Sequence, residues 1–80
     1  MRKVEKMNEA AKRVYAHVKA DYPLKKLLPI MGYSAKTHCN RMDNPTDFTL
    51  AQLRILYEIS DVTDREFMRM IRDDKDARSN

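Results

Sequence analysis

The sequence has one glycine, one cysteine, three prolines and no tryptophan among its 80 residues. A single cysteine excludes an internal disulfide, and Cys39 has no second cysteine with which to build a zinc site. Because glycine and proline are scarce while Leu, Met, Ala, Lys, Arg and Glu are common, the composition favours helices over sheets. A chain this short has one small core. We therefore expect a single all-α domain.

The sequence also has no long apolar run, so we expect no transmembrane helix and no membrane partner. The first residues, MRKVEKMNEAAKR, are too charged to form the apolar part of a signal peptide. Together with the lone cysteine, this predicts a cytoplasmic protein.

The net charge of +4 is unevenly distributed. Residues 1–21 carry six basic and three acidic groups, residues 22–45 carry four and one, and residues 46–80 carry six and eight. The three segments therefore have net charges of +3, +3 and −2. This asymmetry indicates a polyanionic partner for the first half of the chain.

Apolar spacing and capping residues predict a compact bundle of five helices. Ser34 suits the N-cap of helix 3, and Thr49 with Gln52 and Thr63 with Glu66 fit capping boxes. The helices are expected at residues 3–20, 23–31, 35–42, 50–59 and 64–72. On helix 4 and helix 5 the inward positions are predicted to be Leu50, Leu53, Ile55 or Leu56, Tyr57, Phe67, Met70 and Ile71.

Two further predictions concern helix 2 and the last residues of the chain. Gly32 stands where a left-handed C-terminal cap would end helix 2, and Pro29 is expected to kink or shorten that helix. The polar residues 73–80 should form a disordered tail, so the domain is assigned to residues 1–72.

The order of these elements, with Gly32 and the stretch RMDNPTDFTLAQLRILYEISDVTDREF, resembles the Cro/lambda-repressor-like helix-turn-helix family, in particular small phage and mobile-element regulators. The resemblance covers roughly residues 8–72. It implies that helices 2 and 3 form the helix-turn-helix, and that the protein is a sequence-specific double-stranded DNA-binding transcriptional regulator that acts as a repressor. Leu28 and His38 depart from the small and apolar residues that the family commonly carries at those positions.

The resemblance implies that helix 3 enters the major groove. Lys36 would then read guanine and Asn40 adenine, because their side chains provide the matching donors and acceptors. Ala35, His38 and Met42 would face the core, leaving Cys39 as a small surface residue near DNA. The side chains expected at or near the phosphate backbone are those of Lys25, Ser34, Thr37, Arg41 and Asn44.

Other functions have weaker support in the sequence. Neighbouring helical residues point about 100° apart, and His17 is the only other imidazole, so His38 and Cys39 predict neither metal binding nor catalysis. His38 is better explained as a partly buried, hydrogen-bonded packing residue. We expect no enzyme activity, no cofactor and no small-molecule ligand.

Two alternatives concern the surface. The polar side of helix 3 could be only a solvated face, and the bundle could be a protein-interaction module, such as a phage-encoded inhibitor or antirepressor. Basic residues gathered on one face would favour DNA. Helix 5 is expected to leave apolar side chains exposed, and we expect Phe67, Met68 and Ile71 to form a symmetric homodimer interface.

Overall fold

The computed structural model describes residues 6–74, and within this range all regular secondary structure is helical, with no strand. The radius of gyration of 11.5 Å agrees with the roughly 12 Å of a folded chain of this length. This confirms the predicted all-α class. The α-helices are α1 (Glu9–Asp21), α2 (Leu24–Met31), α3 (Ala35–Asp43), α4 (Leu50–Ser60) and α5 (Asp64–Arg72), with a 3₁₀ turn at Pro45–Asp47 between α3 and α4.

The predicted capping residues begin three of the helices. The side chains of Ser34, Thr49 and Thr63 each accept a hydrogen bond from a backbone N–H in the first turn. At Thr49 the reciprocal bond is also present, because its N–H donates to Gln52 Oε1 at 3.0 Å. The carboxylate of Glu66 instead pairs with Arg13, so α5 is joined to α1 where a reciprocal capping bond was expected.

Helix α1 begins later than the apolar spacing predicted. Asn8 is its N-cap, because the side-chain oxygen of Asn8 accepts from Ala11 N at 2.7 Å. The side-chain nitrogen of Asn8 donates to the Met70 carbonyl at 3.0 Å. Met7 is buried, so the apolar stripe continues into residues that precede the helix. The start predicted at residue 3 lies outside the described residues.

The connection from α2 to α3 follows the prediction at Gly32. Its φ of 76° lies in the left-handed region, and its N–H donates to the Leu28 carbonyl at 2.7 Å. A side chain at this position would be strained. Pro29 lies inside α2, and the helix is not shortened because it continues to Met31.

The core lies around α1, which contacts α3, α4 and α5. Its fully buried side chains come from every helix and include Val14, Leu27, Met42, Leu56 and Met70. The predicted inward positions Leu56, Phe67 and Met70 are confirmed, while Leu53, Ile55 and Ile71 are half-buried. Leu50 and Tyr57 were wrongly predicted to face inward, since they are 85% and 41% exposed.

The end of α5 is tied to the segment that follows α3. Asp74 is 1% exposed, and its Oδ2 accepts from both the backbone N–H and the hydroxyl of Thr46 at 2.7 Å. The prediction that residues 73–80 are disordered is therefore wrong for Asp74, because its carboxylate accepts hydrogen bonds from polar groups of the 3₁₀ turn. The remainder of that tail, residues 75–80, lies outside the described residues.

Candidate nucleic-acid interface

The two residues predicted to read bases lie on an open face of α3. Lys36 and Asn40 are both exposed and stand four residues apart, so their side chains lie one above the other on one side of the helix. Ala35 is also exposed, although it was predicted to face the core. The helix thus presents a long cation and a carboxamide beside a small residue, with room for a large ligand to approach.

Cys39 does not belong to this face. Its exposure is 9%, so its predicted place among the DNA-contacting residues is wrong. Helix α3 contacts α1, α2 and the Pro45–Asp47 turn, and packing on several neighbours widens its buried stripe to His38, Cys39 and Met42. Adjacent helical residues point about 100° apart, so His38 and Cys39 are both buried only because α3 has neighbours on more than one side.

His38 has the buried packing role predicted for it. It is 2% exposed, and its Nδ1 shares a hydrogen bond with the Tyr33 hydroxyl at 2.7 Å. The imidazole also stacks on Tyr15 of α1, with ring centroids 5.6 Å apart and planes at 25°. These contacts attach α3 to α1 and to the turn after α2, and they orient the helix from its inner side.

Burial controls the protonation of this cluster. It lowers the pKa of His38 to about 4, so the imidazole is neutral near pH 7. Burial likewise raises the pKa of Tyr33, against an opposing effect of the positive charge of Arg41. The cluster is therefore a neutral hydrogen-bonded support and adds no positive charge to the exposed side of α3.

Ser34 and Thr37 bind each other at the start of α3. The Ser34 hydroxyl accepts from Thr37 N at 3.1 Å and donates to Thr37 Oγ1 at 3.0 Å. Both residues were predicted as phosphate ligands. The Ser34 oxygen caps the helix as an acceptor, and its hydroxyl hydrogen is already donated to Thr37, so a phosphate would have to compete for that donor.

Arg41 and Asn44, the other two backbone-contact predictions on this segment, are half-buried. The Arg41 Nε is buried and has no hydrogen-bond partner within residues 6–74. A buried donor of this kind costs free energy unless it acquires an acceptor. Asn44 ends α3, where its N–H donates to the Asn40 carbonyl at 3.1 Å.

Lys25 is exposed in the first turn of α2, as predicted. No side chain caps this helix. The Lys26 N–H donates to the Pro23 carbonyl at 2.8 Å, so the N–H groups of Leu24 and Lys25 are the ones that an anion at this helix end could bind. Sequence reasoning missed Lys26, which is also exposed and whose Nζ lies 5.1 Å from the centroid of the Tyr22 ring. In the sequence, the position of Lys26 next to Lys25 could have indicated that it also contributes positive charge at this helix end.

Some cations of the described residues are paired with carboxylates and others are not, and the unpaired ones outside α2 and α3 include Lys19, Arg65 and Arg69. On α1, Lys12 pairs with Glu9 and Arg13 pairs with Glu66, so these basic residues of the first helix are partly neutralised. Within residues 6–74, no carboxylate lies within 4.0 Å of the charged groups on α2 and α3, which belong to Lys25, Lys26, Lys36 and Arg41. Residues 22–45 include one acidic residue, Asp43.

The three residues of α5 that were predicted to form a dimer interface differ in their exposure to solvent. Phe67 is 5% exposed and belongs to the core, so its predicted place in an interface is wrong, whereas Met68 is 59% exposed. Ile71 is half-buried. The apolar surface near Met68 is completed by α4, because a groove of about 420 Å³ is lined by Leu50, Leu53, Tyr57, Phe67 and Met68 with Arg54 and Asp64.

Residues 6–74 contain no group of three or more His, Cys, Asp or Glu side chains arranged to hold a metal ion. No helix in that range has the length and apolar character needed to cross a membrane. Comparison with known proteins finds no matching family model, no matching curated protein and no matching solved structure.

Proposed function

We propose that this chain is a sequence-specific double-stranded DNA-binding regulator, a repressor, and that α3 reads the major groove. The observation that carries the proposal is the exposed pair Lys36 and Asn40, on a helix whose cations and those of α2 have no ion-pair partner within residues 6–74. A polyanion would gain most from a surface whose positive charges are not already neutralised.

Lys36 and Asn40 supply the chemistry for reading bases. The Lys36 ammonium can donate to guanine O6 and N7, while the Asn40 carboxamide can accept from adenine N6 and donate to adenine N7. Because both side chains leave the same side of α3, one approach to the groove brings both to base edges. The support from His38 on the inner side fixes the helix, which lowers the entropy cost of binding.

Contacts to phosphate would position α3. The exposed first turn of α2 offers N–H groups with Lys25 and Lys26 beside them, a combination that suits a phosphate oxygen. A phosphate near the half-buried Arg41 would pair with the positive charge of its guanidinium. A protein of this size represses by occupying a site that the transcription machinery needs.

The test is selection of binding sequences from a random duplex library, followed by affinity measurements on the selected site. Replacing Lys36 and Asn40 together by Ala should remove the preference for that site over random duplex, because each base contact contributes roughly 1–3 kcal/mol of discrimination. Circular dichroism should stay helical, because both side chains are exposed. A double variant that keeps the full preference would reject α3 as the reading helix.

The control for this test is a second double variant, with both substitutions on α5. Arg65→Ala and Arg69→Ala together remove two exposed cations and leave the surface of α3 unaltered. This variant should retain the sequence preference of the parent protein. A control variant without that preference would indicate that net charge, and not α3, determines binding.

The second candidate function is a protein-interaction module, and the observation that favours it is the apolar groove between α4 and α5. Exposed apolar side chains around a cavity are typical of surfaces that bind protein. The same library separates the two functions: if no sequence is enriched and duplex binding does not weaken with salt, DNA recognition is rejected and the groove is the surface to test for a protein partner.

A further inference from the structure

The first residue of α3 is open to solvent, although the sequence predicted that it faces the core. Ala35 begins the helix and is exposed. The buried side chains of α3 start three residues later, with His38, Cys39 and Met42. The packing of α3 against its neighbours therefore does not cover the methyl group of Ala35. This methyl group lies at the end of the helix whose residues would contact base edges in a major groove.

The polar groups on either side of Ala35 are engaged with each other. The Ser34 hydroxyl accepts from Thr37 N at 3.1 Å and donates to Thr37 Oγ1 at 3.0 Å. This pairing uses the hydroxyl hydrogen of Ser34 and part of the acceptor capacity of Thr37. Ala35 itself adds no polar side-chain group. The surface of α3 at Ala35 is thus a single methyl group, and an apolar group is its best complement.

The major groove of DNA offers one apolar group of matching size. Thymine carries a methyl group on C5, whereas the distinguishing groups of guanine, adenine and cytosine in this groove are hydrogen-bond donors and acceptors. Alanine is among the side chains that contact the thymine methyl group. Because the Ala35 side chain is one carbon long, the contact requires the α3 backbone to lie close to the base pair, and a larger side chain would hold it away.

We propose that Ala35 recognises the 5-methyl group of a thymine in the base pair next to the guanine that Lys36 contacts. The inference rests on the proposed function, because it requires α3 to lie in the major groove. Consecutive Cα atoms are about 3.8 Å apart and stacked base pairs about 3.4 Å apart. The consecutive residues Ala35 and Lys36 therefore reach adjacent base pairs. Recognition by α3 would then combine two polar contacts with one apolar contact.

A single-group change in the DNA tests this contact. Uracil in place of that thymine removes the methyl group and keeps the base pair. The parent protein should bind the uracil duplex about three- to fivefold more weakly, which is the loss expected for one buried methyl group. The control duplex carries uracil in place of a thymine outside the selected motif. Its Kd should equal that of the unaltered duplex.

A substitution in the protein removes the other half of the contact. Ala35→Gly should bind the thymine and uracil duplexes equally, so that the ratio of their two Kd values falls to about one. An effect of glycine on the stability of α3 alone would weaken both duplexes by the same factor and keep the ratio of the parent. Ala51→Gly is the matched control, because Ala51 is also exposed in the first turn of a helix, α4. It should keep the ratio of the parent.

Three results would overturn the inference while a motif is still selected. They are a motif with no thymine next to the guanine, a parent protein that does not distinguish thymine from uracil, and a ratio that Ala35→Gly leaves unchanged. Each of them leaves the proposed function standing, because α3 would still select a sequence through Lys36 and Asn40. A library in which no motif is enriched would instead reject the proposed function, and the reading of thymine with it.

Discussion

The α2–α3 region and the α4–α5 region use their surfaces in opposite ways. The first has four basic residues against one acidic residue in residues 22–45, and it exposes the polar side chains Lys36 and Asn40. The second balances Arg54 with Glu58 and surrounds an apolar groove. Both regions are built on the same core around α1. The contrast is the basis of our proposal that the α2–α3 region binds a polyanion.

The largest predicted effect concerns the segment that connects the two regions, where the end of α5 contacts the 3₁₀ turn between α3 and α4. Asp74→Ala removes the buried carboxylate that accepts from the Thr46 N–H and hydroxyl, and it leaves those donors without this acceptor. We expect the free energy of unfolding, measured with urea, to fall by about 2–4 kcal/mol. Thr46→Val, which removes one of the two donors, should cost less. An unchanged midpoint in Asp74→Ala would show that the carboxylate does not stabilise the contact between the end of α5 and the 3₁₀ turn.

The second prediction places acid sensitivity in the α2–α3 region. The pKa of His38 falls from an unfolded value near 6.5 to about 4 in the folded chain. Between these values the unfolded state binds more protons, so the stability contribution is full above about pH 6.5 and decreases as pH falls toward 4. The decrease is about 2 kcal/mol between pH 7 and pH 5.

The comparison variant for that measurement is Tyr33→Phe with His38→Leu, which removes both partners of the 2.7 Å hydrogen bond. Urea unfolding at a series of pH values should show a smaller dependence between pH 5 and pH 7 in the double variant than in the parent. Equal slopes would mean that another group causes the pH dependence.

The third prediction compares matched cations in the two regions. Lys25→Ala should weaken binding to all duplexes similarly, and it should reduce the slope of log Kd against log salt by about one unit because one phosphate is no longer neutralised. Arg65→Ala, which removes an exposed cation of α5, should leave that slope unchanged. Fluorescence anisotropy over a range of salt concentrations measures both. Equal effects of the two substitutions would mean that the α2–α3 region contacts DNA no more than the α4–α5 region does.

The smallest predicted effect concerns the ion pair between Arg13 and Glu66, which joins α1 to α5. Both side chains are partly exposed to solvent, at 47% and 24%. A double-mutant cycle with Arg13→Ala and Glu66→Ala should therefore give a coupling energy below about 1 kcal/mol that decreases with added salt. A larger, salt-independent coupling would mean that this pair fixes the position of α5.

The parts of the fold that depend on local chemistry could be predicted from the sequence. Ser34, Thr49 and Thr63 cap helices because their hydroxyls bind N–H groups three residues later, and Gly32 takes a left-handed φ. These caps and this backbone conformation depend only on residues that are near each other in the sequence. Lys36 and Asn40 were placed on the open face of α3 for the same reason, since helical periodicity alone separates them from Met42.

The parts that depend on tertiary packing could not be predicted in the same way. Cys39 is buried because α3 packs against more than one neighbour, and Leu50 is exposed although it begins the apolar pattern of α4. Asp74 is held by Thr46, 28 residues away. The hydrogen bond between Tyr33 and His38 depends on the path of the turn after Gly32. None of these features produces a periodic pattern in the sequence, so periodicity could not predict them.

The central claim is that the α2–α3 region recognises a specific duplex. Its most direct test is repeated selection of the parent protein on a random duplex library at near-physiological salt, with sequencing of the bound fraction. We predict enrichment of one motif that contains guanine and adenine at neighbouring positions, matching Lys36 and Asn40. A bound fraction with no more sequence preference than the starting library would contradict the account.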